Sequence, residues 1–386
     1  MVKKQRIQTL EALRAIAFIA VMFSHTGVTL FKDAGEWAVS LFLILSGFVA
    51  IYSQYDKEIA PSFKSNFKYA VNKIKKLYLL HVITTLSMVI FNFVGVDKNP
   101  IKITLLKVLL NLLLIQEWFP LSGRSINYSA WYLCALFLFY FVFPYILKII
   151  KKYKSISKIT FLIIILYIFQ IIIGIAASKI PISQHYIDIL FAYDKPLWII
   201  YFHPLTRLVD IFIGCNLGYI FVCKQKEKVR NATKKEIIVI VFIITSLLIH
   251  NLSNLNQQSI SGVLAARPDL WWIHVVLFTP SSALLIYLFA FGQGKISQGL
   301  VNKPIMYLAK ISPYGFLIHT TVFRYIEFIV VHLFKHLEYN AQISYVIVFN
   351  FIFGIIITIV CCEIWIRLSD FCKKKYNNYL TNVRKI

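Results

Sequence analysis

Long apolar runs separated by short basic or polar stretches recur along the whole 386-residue chain. A helix needs about 20 predominantly apolar residues to cross a bilayer. Ten segments meet that requirement, at 9–31, 36–55, 77–96, 129–147, 159–177, 204–222, 236–252, 271–291, 311–334 and 341–366. The pattern predicts an all-α fold: a polytopic membrane helix bundle of about ten transmembrane helices. No internal repeat or low-complexity tract breaks it, so residues 1–386 read as a single integral-membrane domain.

Composition supports the same class. Hydrophobic residues make up 59% of the chain and charged residues 15%, against about 45–50% and about 25% in soluble domains. Soluble packing cannot hide that much apolar surface. The net charge of +24 sharpens the picture. On a soluble chain it would point to nucleic acid; on this one it marks the cytoplasmic connections between spans.

An eleventh apolar stretch, 103–117, is shorter and carries Lys107 and Asn111. If it does not cross, one set of connections holds 29 of the 41 basic residues and the other set, with its edges, holds 10. Arg14 and Arg324 then fall inside helices. If it crossed, Lys148, Lys151, Lys152, Lys154 and Lys158 would move outside, against the positive-inside rule. We therefore expect 103–117 to be an interfacial or re-entrant helix, with both termini cytoplasmic. Lys3, Lys4 and Arg6 precede the first apolar run as in a signal peptide, but Glu11 and Arg14 interrupt that run and no small-residue cleavage site follows. The first run thus reads as an uncleaved transmembrane helix. The six cysteines show no Cys-x-x-Cys or Cys/His ligand spacing, which predicts neither a disulfide framework nor a metal site.

Ionisable side chains inside spans are expensive and mark candidate sites. Arg14 and His25 lie 11 residues apart, close to three full turns, so a continuous helix puts them on one face about 16 Å apart along its axis. Glu11 is spaced to pair with Arg14. One reading has Arg14 snorkelling to headgroups and His25 capping its helix. The other has a buried imidazole suited to proton abstraction and an arginine suited to a phosphate or a pantetheine amide. Lys73 and Lys76, at i and i+3 where the third helix enters the membrane, are either a positive-inside signal or a cationic mouth for an anionic ligand. The pairs Arg207–Asp210, Arg324–Glu327 and Glu363–Arg367 have the spacing of intrahelical ion pairs. His203 and Arg207, at the outer start of the sixth span, read as interfacial anchors, with a sugar contact as the alternative. His81 reads as structural. The Tyr128–Trp131 and Trp271–Trp272 clusters fit an aromatic belt, with sugar stacking as the alternative.

These segments together resemble the acyltransferase 3 family, the bacterial integral-membrane O-acyltransferases that modify surface polysaccharides. Arg14 and His25 match its Arg-x10-His pairing, with Ala12 and Ala15 where the family usually has glycines. Ser40–Phe48 resembles its Leu-Ser-Gly-Phe helix. Lys73 and Lys76 stand at its Arg-x-x-Arg element, keeping charge but losing bidentate geometry. Ser312–His319 is similar to its Ser-Tyr-x-x-Tyr-Leu-x-His segment, with Pro313 and Phe316 replacing the tyrosines. Arg207–Gly214 is a weaker match, with Ile211 at a phenylalanine position. Ala135 replaces the glutamate that often follows the family's tryptophan, here Trp131.

The resemblance implies a multi-pass protein of the bacterial cytoplasmic (plasma) membrane. It would move an acyl group, commonly acetyl, from cytoplasmic acyl-CoA to a hydroxyl of a surface glycan or its lipid-linked precursor. It implies acetyl-CoA as co-substrate, with no tightly bound cofactor and no nucleic-acid partner; membrane lipid surrounds the chain. Arg14, Lys73 and Lys76 would bind the donor. His25, aided by Arg14, would act as general base or as an acyl-carrying nucleophile. Trp131, Tyr132 and His319 are candidates for lining the cavity, His319 having a packed structural histidine as its alternative. The competing class is a transporter with Arg14 and His25 as a relay. That class favours broken helices or a repeat between halves, and neither is visible in the sequence.

Overall fold

A computed structural model describes residues 5–94, 100–119, 126–153, 155–180, 198–255, 273 and 276–383. Among these the chain is all-helical. Its helices are α1 (Gln8–Ser24), α2 (Ala34–Gln54), α3 (Phe63–Phe93), α4 (Ile101–Leu112), α5 (Trp131–Ile150), α6 (Ile156–Ser178), α7 (Pro204–Lys224) and α8 (Ala232–Leu255). There follow α9 (Thr279–Phe291), the short α10 (Lys295–Gly299), α11 (Lys303–Leu333), α12 (Tyr339–Phe349) and α13 (Ile355–Val383), the last two joined by a π-helical turn at Asn350–Gly354.

Among the described residues seven segments are long and apolar enough to cross a membrane: Thr29–Gln54, Phe63–Phe91, Tyr128–Ile150, Ile156–Ser178, Pro204–Lys224, Lys303–Leu333 and Tyr339–Lys375. The sequence pattern led us to expect ten. The three others fall at α1, α8 and α9, and a physical feature sets the first of them apart. The expected run 9–31 divides at Gly27, whose φ of 89° breaks the helix and leads into a 3-10 turn at Thr29–Phe31. What remains of it, α1, has 17 residues and carries Glu11 and Arg14. The helix within 271–291 is 13 residues long. α8 opens on Lys234, Lys235 and Glu236. α4 has 12 residues, about 18 Å at 1.5 Å per residue.

Burial sorts the helices by their solvent. α2 and α7 are enclosed by protein, with 78% of each span buried, whereas α6 buries 17% of its span. α6 exposes Ile164, Ile165, Ile168, Phe169 and Ile172, as an all-apolar helix facing lipid does. α2 and α7 pack backbone to backbone. A Cβ built on Gly47 would collide with the Ile211 carbonyl, one on Gly214 with the Ile44 carbonyl, and one on Gly218 with the Phe48 carbonyl at 2.7 Å. Small residues that let membrane helices approach closely are a recurrent packing device. The glycines of two sequence motifs, Ser46-Gly47-Phe48 and Arg207–Gly214, therefore meet at one contact.

α11 contains Pro313, which cannot donate to the Ala309 carbonyl one turn back. The Ser312 hydroxyl takes that carbonyl instead, at 3.0 Å. His81 is fully buried on α3 and its Nε2 lies 2.9 Å from the Asn111 carbonyl, which ties α4 to α3.

Gly47→Ala and Gly214→Ala should each lower the thermal midpoint of the purified protein, since overpacking a tight contact costs about 1–3 kcal/mol. Gly299→Ala, with nothing within 4 Å of the added methyl, should leave it unchanged. Heating in detergent followed by size-exclusion chromatography reads both.

Candidate active site

Two cavities lie in the bundle beside α2. The first, of about 260 Å³, is lined by Arg14 of α1, Phe42 and Ser46 of α2, Lys73 of α3, Tyr132 and Tyr140 of α5, and Phe316 of α11. It is the cationic one. Arg14 Nη2 donates to Glu11 Oε1 at 2.7 Å and the side chain remains 24% exposed. Lys73 Nζ sits 5.2 Å from the Tyr69 ring and 5.9 Å from the Tyr140 ring, within cation–π range.

The second cavity, of about 390 Å³, is lined by His25, Asp33, Glu36, Trp131, Tyr201 and His319, among others. α1 ends at Ser24, so His25 is its C-cap residue and its ring stands where the helix stops. Its centroid lies 5.0 Å from that of His319. His319 is 1% exposed. Its Nδ1 lies 3.0 Å from the Gly315 carbonyl, and because a carbonyl only accepts, Nδ1 carries the proton. Nε2 is then the lone-pair nitrogen, and it is buried without a hydrogen-bond partner. Ser129 and Thr320 complete one wall, hydrogen-bonded to each other at 2.7 Å.

Phe316 is the one described residue that lines both cavities. The arrangement thus offers a cationic chamber and an imidazole chamber joined at an aromatic partition. Among the described residues no three His, Cys, Asp or Glu side chains cluster in a way that could hold a metal ion.

A family profile described as "Acyltransferase domain" matches residues 7–365. The chain belongs to this acyltransferase family. It is also similar to acyltransferase MdmB of Streptomyces mycarofaciens, 29% identical over 164 residues. That match covers 38% of this chain and 41% of the relative, so the chain spans less than half the length of the curated relative it matches. No solved structure matches it.

The structure divides the residues that the sequence singled out. Arg14, Lys73 and Tyr132 line the first cavity; His25, Trp131 and His319 line the second. Lys76 is exposed and is among the lining residues of neither. Three successive helical positions span about 300°, so Lys76 stands about 60° away from Lys73 around α3. Trp131 and Tyr132, about 100° apart on α5, face different chambers. Asp33 and Glu36 escaped the sequence reading, although two carboxylates three residues apart at the start of an apolar run are the signal that finds them. Ser46, within 2.9 Å of the Tyr132 hydroxyl, was seen there only as part of a motif. Trp271 and Trp272 lie outside the described residues.

Arg207 is the clearest correction. The ion pair its spacing predicted forms, Nη1 lying 3.1 Å from Asp210 Oδ2, but the residue expected as an interfacial anchor or sugar contact is 1% exposed. The guanidinium lies 5.3 Å from the Tyr201 ring. Asp210 Oδ1 accepts from Gln170 Nε2 at 3.0 Å and from Thr279 Oγ1 at 3.1 Å, so one carboxylate ties α6, α7 and α9 together. Bonds to other helices, which sequence spacing cannot register, draw the pair inward. His203 caps the start of α7 with its ring against Trp118 and Trp198. The Arg324–Glu327 and Glu363–Arg367 pairs form as spaced, at 3.1 and 2.9 Å.

Asp210→Asn should destabilise strongly, since removing one partner of a buried pair costs about 3–5 kcal/mol. Glu363→Gln, in a pair whose arginine is largely exposed, should change thermal stability little by the same measurement.

Proposed function

We propose that the protein is an acyl-CoA-dependent O-acyltransferase that takes its donor in the Arg14 chamber and its acceptor hydroxyl in the His25 chamber. The observation that carries this reading is the pair of chambers meeting at Phe316, one with Arg14 and Lys73 as its charged lining and the other with two imidazoles beside Lys32, Asp33 and Glu36. Coenzyme A is polyanionic at its nucleotide end. Arg14 and Lys73 suit its phosphates, and Lys76 adds charge to the approach. On this reading the Lys73 side faces the cytoplasm, with ten spans, both termini cytoplasmic and 103–117 lying at the outer surface of a bacterial plasma membrane.

The chemistry asks little more than positioning and one base. In the direct route His25 takes the proton of the acceptor hydroxyl, and the oxygen attacks the thioester carbonyl. The tetrahedral intermediate expels the CoA thiolate, which the imidazolium protonates. In the relay route an imidazole nitrogen attacks the thioester first, CoA leaves as the thiol, and the acceptor oxygen then displaces the imidazole. His319, with its tautomer fixed by Gly315 and its Nε2 lone pair open, supports either route as the neighbouring imidazole. An acceptor with sugar-like hydroxyls suits the second chamber, where Trp131 and Tyr201 provide faces for stacking and Asp33 and Glu36 provide carboxylates that accept from hydroxyls. A cell-surface glycan or its lipid-linked precursor meets that description, and acetyl is the acyl group we favour.

His25→Ala should cut acyl transfer to membrane glycan by about 10²–10⁴-fold, the usual worth of a general base, with insertion and thermal stability retained. Mass spectrometry of glycan O-acyl content reads the loss. Undiminished acylation in this variant would exclude both routes. Solute flux in proteoliposomes without any acyl-CoA would favour a transporter.

A further inference from the structure

Phe42, Tyr132 and Phe316 form a closed triangle of rings at the junction of the two chambers. Their centroids are 6.3 Å apart between Phe42 and Tyr132, 5.8 Å between Phe42 and Phe316, and 5.0 Å between Tyr132 and Phe316. All three line the first chamber. Phe316 also lines the second, where its centroid is 5.9 Å from that of His319. A group passing from the cationic chamber to the imidazoles meets these rings first.

The three rings are not held alike. Tyr132 Oη and Ser46 Oγ lie 2.9 Å apart, and each reaches the Phe42 carbonyl, at 3.1 and 2.8 Å. That ties the α5 ring to the α2 backbone. The Phe42 and Phe316 rings have no polar anchor, and of these two Phe316 borders both chambers and sits three residues after Pro313, where α11 lacks a backbone hydrogen bond. It is the ring that yields at least cost.

Resting on the acyltransferase reading above, we propose that Phe316 is a specificity-determining residue that sets the length of the acyl group transferred. Rotating one ring out of a triangle whose other two members stay fixed opens a passage one side chain wide. A two-carbon acyl group fits that opening beside the thioester, and each further methylene must displace Tyr132 or Phe42 from hydrogen-bonded, packed positions. The selectivity is steric. An apolar pocket discriminates single methylenes only about 10–200-fold, so the discrimination should build up over several carbons.

The test compares label transferred from radiolabelled acetyl-, butyryl- and octanoyl-CoA into membranes of the organism of origin, deleted for its own copy and restored with wild type, Phe316→Ala or Phe316→Leu. Phe316→Leu keeps most of the apolar volume and serves if the alanine variant does not fold. Wild type should favour acetyl over octanoyl, and opening the passage should raise the octanoyl-to-acetyl ratio at least tenfold in Phe316→Ala, with Phe316→Leu between. A folded Phe316 variant that transfers acetyl with the wild-type chain-length ratio overturns the proposal while leaving the acyltransferase reading intact. Absence of CoA-dependent transfer by the wild type itself overturns both. A fall in rate with all three donors in parallel assigns Phe316 a packing role only, and also overturns the proposal.

Discussion

The close approach of α2 to α7 at Gly47 and Gly214 sets the rest of the bundle. With no side chain between them, each glycine lies against a backbone carbonyl of the opposite helix, a fit that needs no polar glue and that a single methyl would spoil. The contact turns α2 so that Phe42 and Ser46 face α5 and α11. It also draws α7 far enough inward to bury Arg207 and Asp210. The apolar helices α6, α12 and α13 can then face lipid with few constraints on their side chains.

Polar groups inside a membrane persist by two different means in this protein. Arg207 and Asp210 are stabilised by mutual charge, and donors from Gln170 and Thr279 to Asp210 Oδ1 offset part of the desolvation. Lys73 and the His319 imidazole are different. They border space, and the unpartnered Nε2 of His319 has no internal compensation. An ion pair bonded to two neighbouring helices is a structural fastening; an unpartnered nitrogen beside a cavity is a place for chemistry.

The sequence carried much of this, within limits that geometry explains. The spacing of Arg14 and His25 placed them at the two ends of one helix, yet it could not show that α1 stops at Ser24 and that its two ends open into separate chambers. The i, i+3 pair Lys73 and Lys76 shares a face only to within about 60°, enough to bring one lysine and not the other to the cavity wall. The count of ten spans came from apolar length, which does not register the helix break at Gly27. Asp33 and Glu36 were not singled out, because their place beside His25 on one cavity wall depends on tertiary contacts. Local periodicity reports what a helix presents; only packing reports to what.

The proposed arrangement, a donor chamber on one side of a membrane and an acceptor chamber on the other, presents a conflict. The reacting groups must come within bonding distance, yet a continuous path between them would let water reach the thioester and let ions and protons cross. Excluding water from a reactive intermediate and preventing proton leakage are both tasks of a closed site. An aromatic partition meets them with apolar faces that repel water and ions while a single ring yields to a neutral acyl group. The hydrogen bonds joining the Tyr132 hydroxyl to Ser46 and the Phe42 carbonyl fix one side of the partition, and Pro313 interrupts the backbone ladder of the helix that bears Phe316. The requirement for a seal and the requirement for passage are thus met by different residues. A uniformly rigid partition would satisfy only the first, and a uniformly soft one neither for long.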